Sequence, residues 1–504
     1  MLKKALVVAA LLAGCGSTSH PPQSFAGLTR VSGLSPFPPG CAPAGQPGTN
    51  FPNAEVEPFL AIDPTNAKHL IGVWQQDRWS NGGSNGLGNA VSFDGGRTWT
   101  TGFAHFSICS GGTAANRADY DRASDPWITF GSDGTPHHIG FAFDALTARQ
   151  AMLAVRSLDG GLHWTDPIPL IQDSTAGIAN DKESITADPA DGHYVYAVWD
   201  RLDSTNAVAL KGPAYFTRTT DSGTTWEPAR NIYDPGPNSQ TIGNQIVVLP
   251  DGTLIDLLTI LTQINQSVSN ARAAVLRSGD KGMTWSPQAV IIASEQSQGV
   301  ADPKTQAGVR TGDIVPEIAV DRASGALYVV WEDSRFTGGA RDGIVLSKSI
   351  DKGQSWSAPV RVNGVLTTQA FTPAIAVATG GKIGVSYYDL RNDNPGDNSQ
   401  LLATAWLAVS SDGGATFQET ALGGPFDLRT AAQTADGYFI GDYQGLVASG
   451  AEFLPFFVLT NSGNTSNRSD VFFHPPGGVA AVFASEAGAF DVPRRQRTGL
   501  RRAF

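Results

Sequence analysis

The sequence predicts an all-β protein assembled from a repeated, turn-bounded unit of four strands. Three observations carry this. Of 504 residues, 57 are Gly and 31 are Pro, a breaker content that disfavours a helical protein. Hydrophobic residues make up 41%, with 11 Trp and 24 Phe, which is enough to bury a large core and excludes a disordered chain. An eight-residue motif also recurs six times, and such periodicity marks a repeat architecture.

The motif occupies residues 92–99, 157–164, 219–226, 278–285, 349–356 and 410–417. Each copy has Ser or Thr first, Asp third, Gly fifth and Trp or Phe last; His163 and Phe417 depart from the usual Thr/Ser and Trp positions. The aspartates Asp94, Asp159, Asp221, Asp280, Asp351 and Asp412 are 65, 62, 59, 71 and 61 residues apart. Physically this is a hairpin turn: Asp accepts from backbone N–H groups, Gly supplies a positive φ, and the terminal aromatic packs beside the next strand.

Strands are legible on either side of each turn. The first unit reads as 59–62, 69–74, 89–93 and 98–103, and the fifth as 317–320, 327–331, 343–347 and 355 onward, from alternating β-branched and aromatic residues between turn signals. Pro58, Pro126, Pro316 and Pro373 recur where first strands begin, where a missing N–H costs little. After the sixth octet come strands at 443–447, 453–459 and 470–473, with no octet of their own. The stretch 28–31 is expected to supply their fourth strand and leave no open edge.

The octet resembles the Asp box, or BNR repeat, of sialidases and related β-propellers. The resemblance implies a propeller of four-stranded blades, with seven blades favoured and six plus extra strands as the alternative. It also implies that the six aspartates are structural and lie on the face away from the active site.

The N-terminus reads as an export signal: Lys3 and Lys4, an apolar run from Ala5 to Leu12, then Leu12-Ala13-Gly14-Cys15. This resembles the bacterial lipoprotein box, which implies acylation at Cys15. The expected organisation is a signal at 1–14, a tether at 15–27, the propeller at 28–475 and a flexible basic tail at 476–504. The product is expected outside the cytoplasm, anchored to a membrane by lipid alone. Cys41 and Cys109 then form an even pair in an oxidising compartment, either as one disulfide or as two buried thiols.

The formal charge of −11 lacks the clustered cations that nucleic acid requires, so no nucleic-acid partner is expected. Eight scattered histidines show no metal spacing, and no phosphate loop or nucleophile elbow appears, so neither metal nor cofactor is expected. A second repeat places an aromatic ahead of Asp and Arg at Asp77-Arg78, Asp200-Arg201, Asp333-Ser334-Arg335 and Asp389-Leu390-Arg391. Either these arginines crowd the mouth of a central channel and bind a carboxylate, or each caps its own loop through its own Asp.

Strand starts on the same rim add Asp125, Asp181-Lys182-Glu183, Gln245, Asp313, Glu317 and Asp442-Tyr443. In sialidases three arginines hold the sugar carboxylate, an Asp is acid/base and a Tyr paired with Glu is the nucleophile. The resemblance therefore implies a glycoside hydrolase acting on an acidic glycan or polysaccharide, with Arg78, Arg201, Arg335 and Arg391 as binding candidates. Asp125 would be the acid/base, and Tyr443 or Glu317 the nucleophilic element. One departure is that the stretch matching the sialidases' first arginine reads Glu55-Val56-Glu57-Pro58. A non-catalytic glycan- or protein-binding propeller and a polysaccharide lyase are the alternatives.

Overall fold

The computed structural model describes residues 24–206, 208–264 and 270–477. Cys15, the export signal and nearly all of the basic tail lie outside the described residues. Among those described, antiparallel pairing gives seven consecutive four-stranded meanders. The first is Val56–Asp63, Asn66–Arg78, Ser84–Ser92 and Thr100–Phe103. The fifth is Glu317–Val320, Leu327–Asp333, Gly343–Ser349 and Val360–Arg361. The last joins Gly445–Ser449, Glu452–Thr460 and Ser469–Phe473 to the N-terminal strand Thr29–Arg30, which pairs with Phe472 and Phe473. The two ends of the chain thus complete one meander, and its outer edge is covered.

The first strand of every meander touches the first strand of the next, and the seventh touches the first, so the seven form a closed cycle. Apolar layers fill the spaces between meanders, with Trp199 and Trp331 fully buried. Cys41 and Cys109 form a disulfide, with Cα atoms 5.1 Å apart, tying the N-terminal segment to the loop after the first meander.

Each octet connects a third strand to a fourth. In the first, Asp94 accepts from the backbone N–H of Arg97 at 3.0 Å and of Thr98 at 2.9 Å, and from the Thr98 hydroxyl at 2.7 Å. Ser92 Oγ accepts from the Gly96 N–H at 2.8 Å. The fifth-position glycine is invariant among the six for two reasons. Its φ is positive, 84° at Gly96 and 81° at Gly282. A Cβ there would also strike the preceding meander at several of them, 2.0 Å from the Phe473 ring at Gly96 and 2.4 Å from the Phe216 ring at Gly282, whereas at Gly353 the nearest atom is 3.5 Å away. The fourth position is left-handed too, but at Gly95 nothing lies within 4 Å of an added Cβ. That freedom lets Ser222, Lys281 and Lys352 take its place, at φ 56°, 58° and 62°.

First strands run further than the sequence suggests. Pro58, Pro126 and Pro373 lie inside Val56–Asp63, Arg122–Phe130 and Ala370–Ala378, not at their starts. Each proline falls where the ladder skips, so its missing N–H leaves no bond unmade. A small accessory sheet of Val300–Ala301, Gly308–Arg310, Ala432–Thr434 and Gly437–Phe439 comes from the linkers before the fifth and seventh first strands.

Candidate active site

At the end opposite the octets, five first strands break register at one equivalent place: between Val56 and Phe59, Ser124 and Trp127, Asp181 and Ser184, Ile242 and Gln245, and Phe371 and Ala374. The residue inside each bulge has positive φ: Glu57 53°, Asp125 51°, Lys182 47°, Gly243 69° and Thr372 50°. Only one is glycine. A side chain held there costs about 1–3 kcal/mol, and such strain gathers at functional sites. Each stands three residues before an apolar core residue (Leu60, Ile128, Ile185, Ile246, Ile375), and by that spacing Tyr443, three before Leu446, is the seventh meander's counterpart.

The bulges bring charge together. Lys182 Nζ lies 3.2 Å from Glu57 Oε1, 2.7 Å from Asp125 Oδ1 and 3.0 Å from Asp442 Oδ2. Arg310, delivered by the accessory sheet, forks onto Asp442 through Nη2 at 2.5 Å and Nε at 3.1 Å. Gln75 donates to Glu57 and to Ser124 Oγ, and accepts from Arg78 Nη1 at 2.6 Å. The Arg78 and Arg310 guanidinium carbons lie 4.8 and 4.5 Å from the Phe439 ring centre. Glu57, Arg78, Asp125, Lys182 and Arg310 line one cavity together with Gly82, Gly83, Phe141 and Phe143.

Burial and pairing split the protonation of these acids. Burial raises Glu57 to about 7 even though Lys182 opposes it. Asp181 is pushed to about 8 by burial and by neighbouring Asp125. Burial works against ionisation of Asp442 as well, but Arg310 and Lys182 override it and hold that carboxyl well below the usual range. Desolvation lowers Arg78 to about 10, with repulsion from Arg310 adding to it. Its Nε has no hydrogen-bond partner among the described residues. Arg78 is therefore a buried cation that feels Glu57, Asp125 and Asp442 but is ion-paired to none of them, a site that favours an incoming anion.

A second cavity on the far side of Lys182 is lined by Trp127, Glu183, Asn244, Gln245, Glu317 and Tyr443. Gln245 donates to Glu317 at 3.0 Å, and burial lifts that carboxyl to about 8. The Tyr443 hydroxyl donates to the Pro126 carbonyl at 3.3 Å, and its ring lies 5.3 Å from that of Trp127. Burial, reinforced by Glu57 and Asp125, keeps its phenol protonated far above the ordinary range.

The expected residues therefore separate. Asp125, Glu317, Tyr443 and Arg78 line the two cavities that share Lys182. The other arginines do not join Arg78. Arg335 is held by its own Asp333, at 2.7 and 2.8 Å, and by the Ser294 carbonyl. Arg391 is tied to Asp389, Glu419 and Tyr387. Arg201 bonds Asp173 at 2.5 Å. The expected clamp of three arginines is not formed by these side chains because buried or half-buried acids already saturate them. Glu57, Lys182, Asp442 and Arg310 complete the centre in its place. Aligning the strand starts on their core Ile or Leu would have exposed Glu57 and Lys182; Arg310 comes from a linker with no repeat signal. Among the described residues, no group of three or more His, Cys, Asp or Glu side chains could hold a metal ion.

No family model matches the chain, and no curated protein matches it. Solved structures similar to it include a Hadza microbial sialidase, at 14% identity and TM-score 0.47, covering 82% of this chain and 75% of that one. An α-L-arabinofuranosidase from Fusarium graminearum follows at 13% and 0.45, covering 71% of this chain and 92% of that one. A Trypanosoma rangeli sialidase in complex with sialic acid shows 13% and 0.38, covering 75% of this chain and 55% of that one. At these scores the likeness assigns neither family nor activity.

Proposed function

We propose that the seven meanders are the blades of a β-propeller and that the chain is an exported, lipid-anchored glycoside hydrolase acting on acidic glycans. The closed cycle of first strands supports the blade reading. The observation that carries the chemistry is the convergence of Glu57, Asp125 and Lys182, three side chains in left-handed backbone, on one cage of opposite charges.

Two adjacent carboxyls, one of them raised toward neutrality, are what acid/base cleavage of a glycosidic bond needs. Glu57, raised to about 7, would carry the proton delivered to the leaving oxygen. Asp125, paired with the Lys182 ammonium at 2.7 Å, would attack the anomeric carbon as the leaving oxygen departs, and water deprotonated by Glu57 would then hydrolyse the glycosyl–Asp125 ester. Their oxygens lie 3.2 and 2.7 Å from one nitrogen, so they are at most 5.9 Å apart. That is closer than the roughly 6.5–9.5 Å of inverting pairs and accords with a retaining reaction. Arg78, which no acid forks, would hold the substrate's carboxylate, with Arg310 locked onto Asp442 beside it. Tyr443 and Glu317 would wall the axial side; a phenol kept protonated and directed at a backbone carbonyl is poorly placed as nucleophile or lyase base.

The test is to incubate the purified chain with chromogenic sialosides and uronides, their neutral counterparts, and uronate polysaccharides. Hydrolysis of carboxylate-bearing glycosides, with retained anomeric configuration in the first product seen by NMR, supports the reading. An ultraviolet-absorbing unsaturated product would replace it with a lyase. Saturable binding with no turnover would replace it with a binding module.

A further inference from the structure

We propose that the octet end of the molecule rests on the lipid bilayer, dipping apolar turn tips into it, while the charge cage opens away from the membrane. The proposal rests on the reading of Cys15 as a lipid anchor and adds an orientation and a second membrane contact to it.

The first support is where the chain emerges. Thr29 pairs with Phe473, whose ring packs against Gly96 and Trp99 of the first octet. From there the chain runs toward the opposite end, where Ser35 reaches Asp77 beside the cage. Everything before Thr29 thus leaves from the octet end, and it leaves held: the Phe25 ring lies 5.3 Å from that of Phe472, and the Leu28 N–H donates to the Phe25 carbonyl. Cys15 precedes Ser24 by nine residues, which reach at most about 30 Å when fully extended. So short a tether keeps the octet end, and not the cage, near the anchored lipid.

The second support is what that end displays. Among large hydrophobic residues, Phe93, Leu158, Leu162, Met283 and Ile350 are exposed by 50, 79, 42, 63 and 85%. All five occupy the second or sixth position of an octet, so they project from equivalent turns of four different meanders. Phe93 and the second octet adjoin, the Phe93 ring lying 3.2 Å from the Cβ position of Gly160. Of the other exposed apolar residues among those described, Leu34, Leu146, Val208 and Phe336 sit on loops outside the octets, and Phe103 and Ile291 on fourth strands. Apolar side chains that enter the interface add buried area to the attachment that a lipid anchor provides and fix which end faces the surface. The octet aspartates stay charged within their own turns, so on a surface of no net charge the contact would be carried by the apolar tips and be insensitive to salt.

To test this, Leu158→Cys and Leu34→Cys chains, each otherwise full length and acylated, are labelled with a fluorophore. They are then reconstituted on phosphatidylcholine vesicles containing lipid with an interfacial spin label. The expected result is several-fold stronger quenching at position 158 than at 34, unchanged between low and high salt. Replacing Phe93, Met283 and Ile350 by Ser should remove that difference while the unfolding midpoint stays the same, because these side chains are exposed. Equal quenching at both positions overturns the orientation. Mass spectrometry of the N-terminal peptide is read in parallel: an unacylated Cys15 overturns the anchor itself, whereas an acylated chain with equal quenching overturns the orientation and the contact but leaves the anchor standing.

Discussion

The two ends of the same seven meanders obey opposite rules. At the octet end, six turns repeat one solution: Asp accepts from its own loop, Gly fits beneath a neighbouring side chain, and an aromatic closes the turn. At the cage end, equivalent bulge positions carry Glu57, Asp125, Lys182, Gly243, Thr372 and Tyr443, with no side chain repeated. Repetition marks what each meander needs to exist. Departure from it marks where the ring does something once.

The largest expected effect is at the centre of the cage. Lys182→Met leaves Glu57, Asp125 and Asp442 buried without their shared cation and should cost about 3–5 kcal/mol in urea unfolding. Next come the acids: Asp125→Asn should lower turnover by about 10²–10⁴-fold, far beyond what its weakened bond to Lys182 takes from the unfolding midpoint. If activity and midpoint fell together, the cage would be structural.

Third is a contrast inside one octet. Gly96→Ala meets the Phe473 ring as well as an unfavourable φ and should lose about 2–3 kcal/mol, whereas Gly95→Ala, with open space around it, should lose about 1. Equal losses would mean that backbone conformation, not the packed neighbour, fixes the fifth-position glycine.

The ends should also titrate in opposite senses. Hydrogen bonds from Thr98 hold exposed Asp94 down to about 2, and those from Ser355 hold Asp351 lower still. Their stabilisation is present above the ordinary aspartate pKa of 3.8 and is lost as pH falls toward 2. Burial holds Glu57 at about 7 and Glu317 at about 8, above an unfolded value of 4.5. Their contribution is full below 4.5 and fades as pH rises through 7 to 8. Urea midpoints from pH 2 to 9 should therefore fall on both flanks. Glu317→Gln should flatten the alkaline flank alone, and an unchanged flank would place that loss elsewhere.

The smallest effect concerns the rim. Arg335→Gln should leave KM for an acidic glycoside within about twofold, because Asp333 already occupies that guanidinium. Arg78→Gln should raise it tenfold or more, the worth of a charge-assisted contact.

These contrasts show which parts of the molecule were legible in the sequence. The octets were, because each forms its own bonds within eight residues. So were the strands around them and the N-terminal strand beside 470–473, because local alternation and the wish to cover an edge both point there. The Asp-Arg repeat left two readings open, and at Arg335 and Arg391 the local one holds, since Asp333 and Asp389 satisfy them; a short-range motif does not by itself show whether a charge remains free. The cage joins residues as distant as Glu57 and Asp442, and only closure of the ring brings them together. Glu57, met in the sequence as the place where an arginine was missing, proves to be one wall of the cage.

Glu57→Gln tests the central claim most directly, with turnover of an acidic glycoside and the unfolding midpoint measured on the same preparation. A carboxyl already protonated near neutrality is well mimicked by an amide, so the fold should keep its midpoint while turnover drops at least about 100-fold. A variant as active as the parent, or one whose activity falls only as far as its stability does, would contradict the assignment of the cage as the catalytic centre.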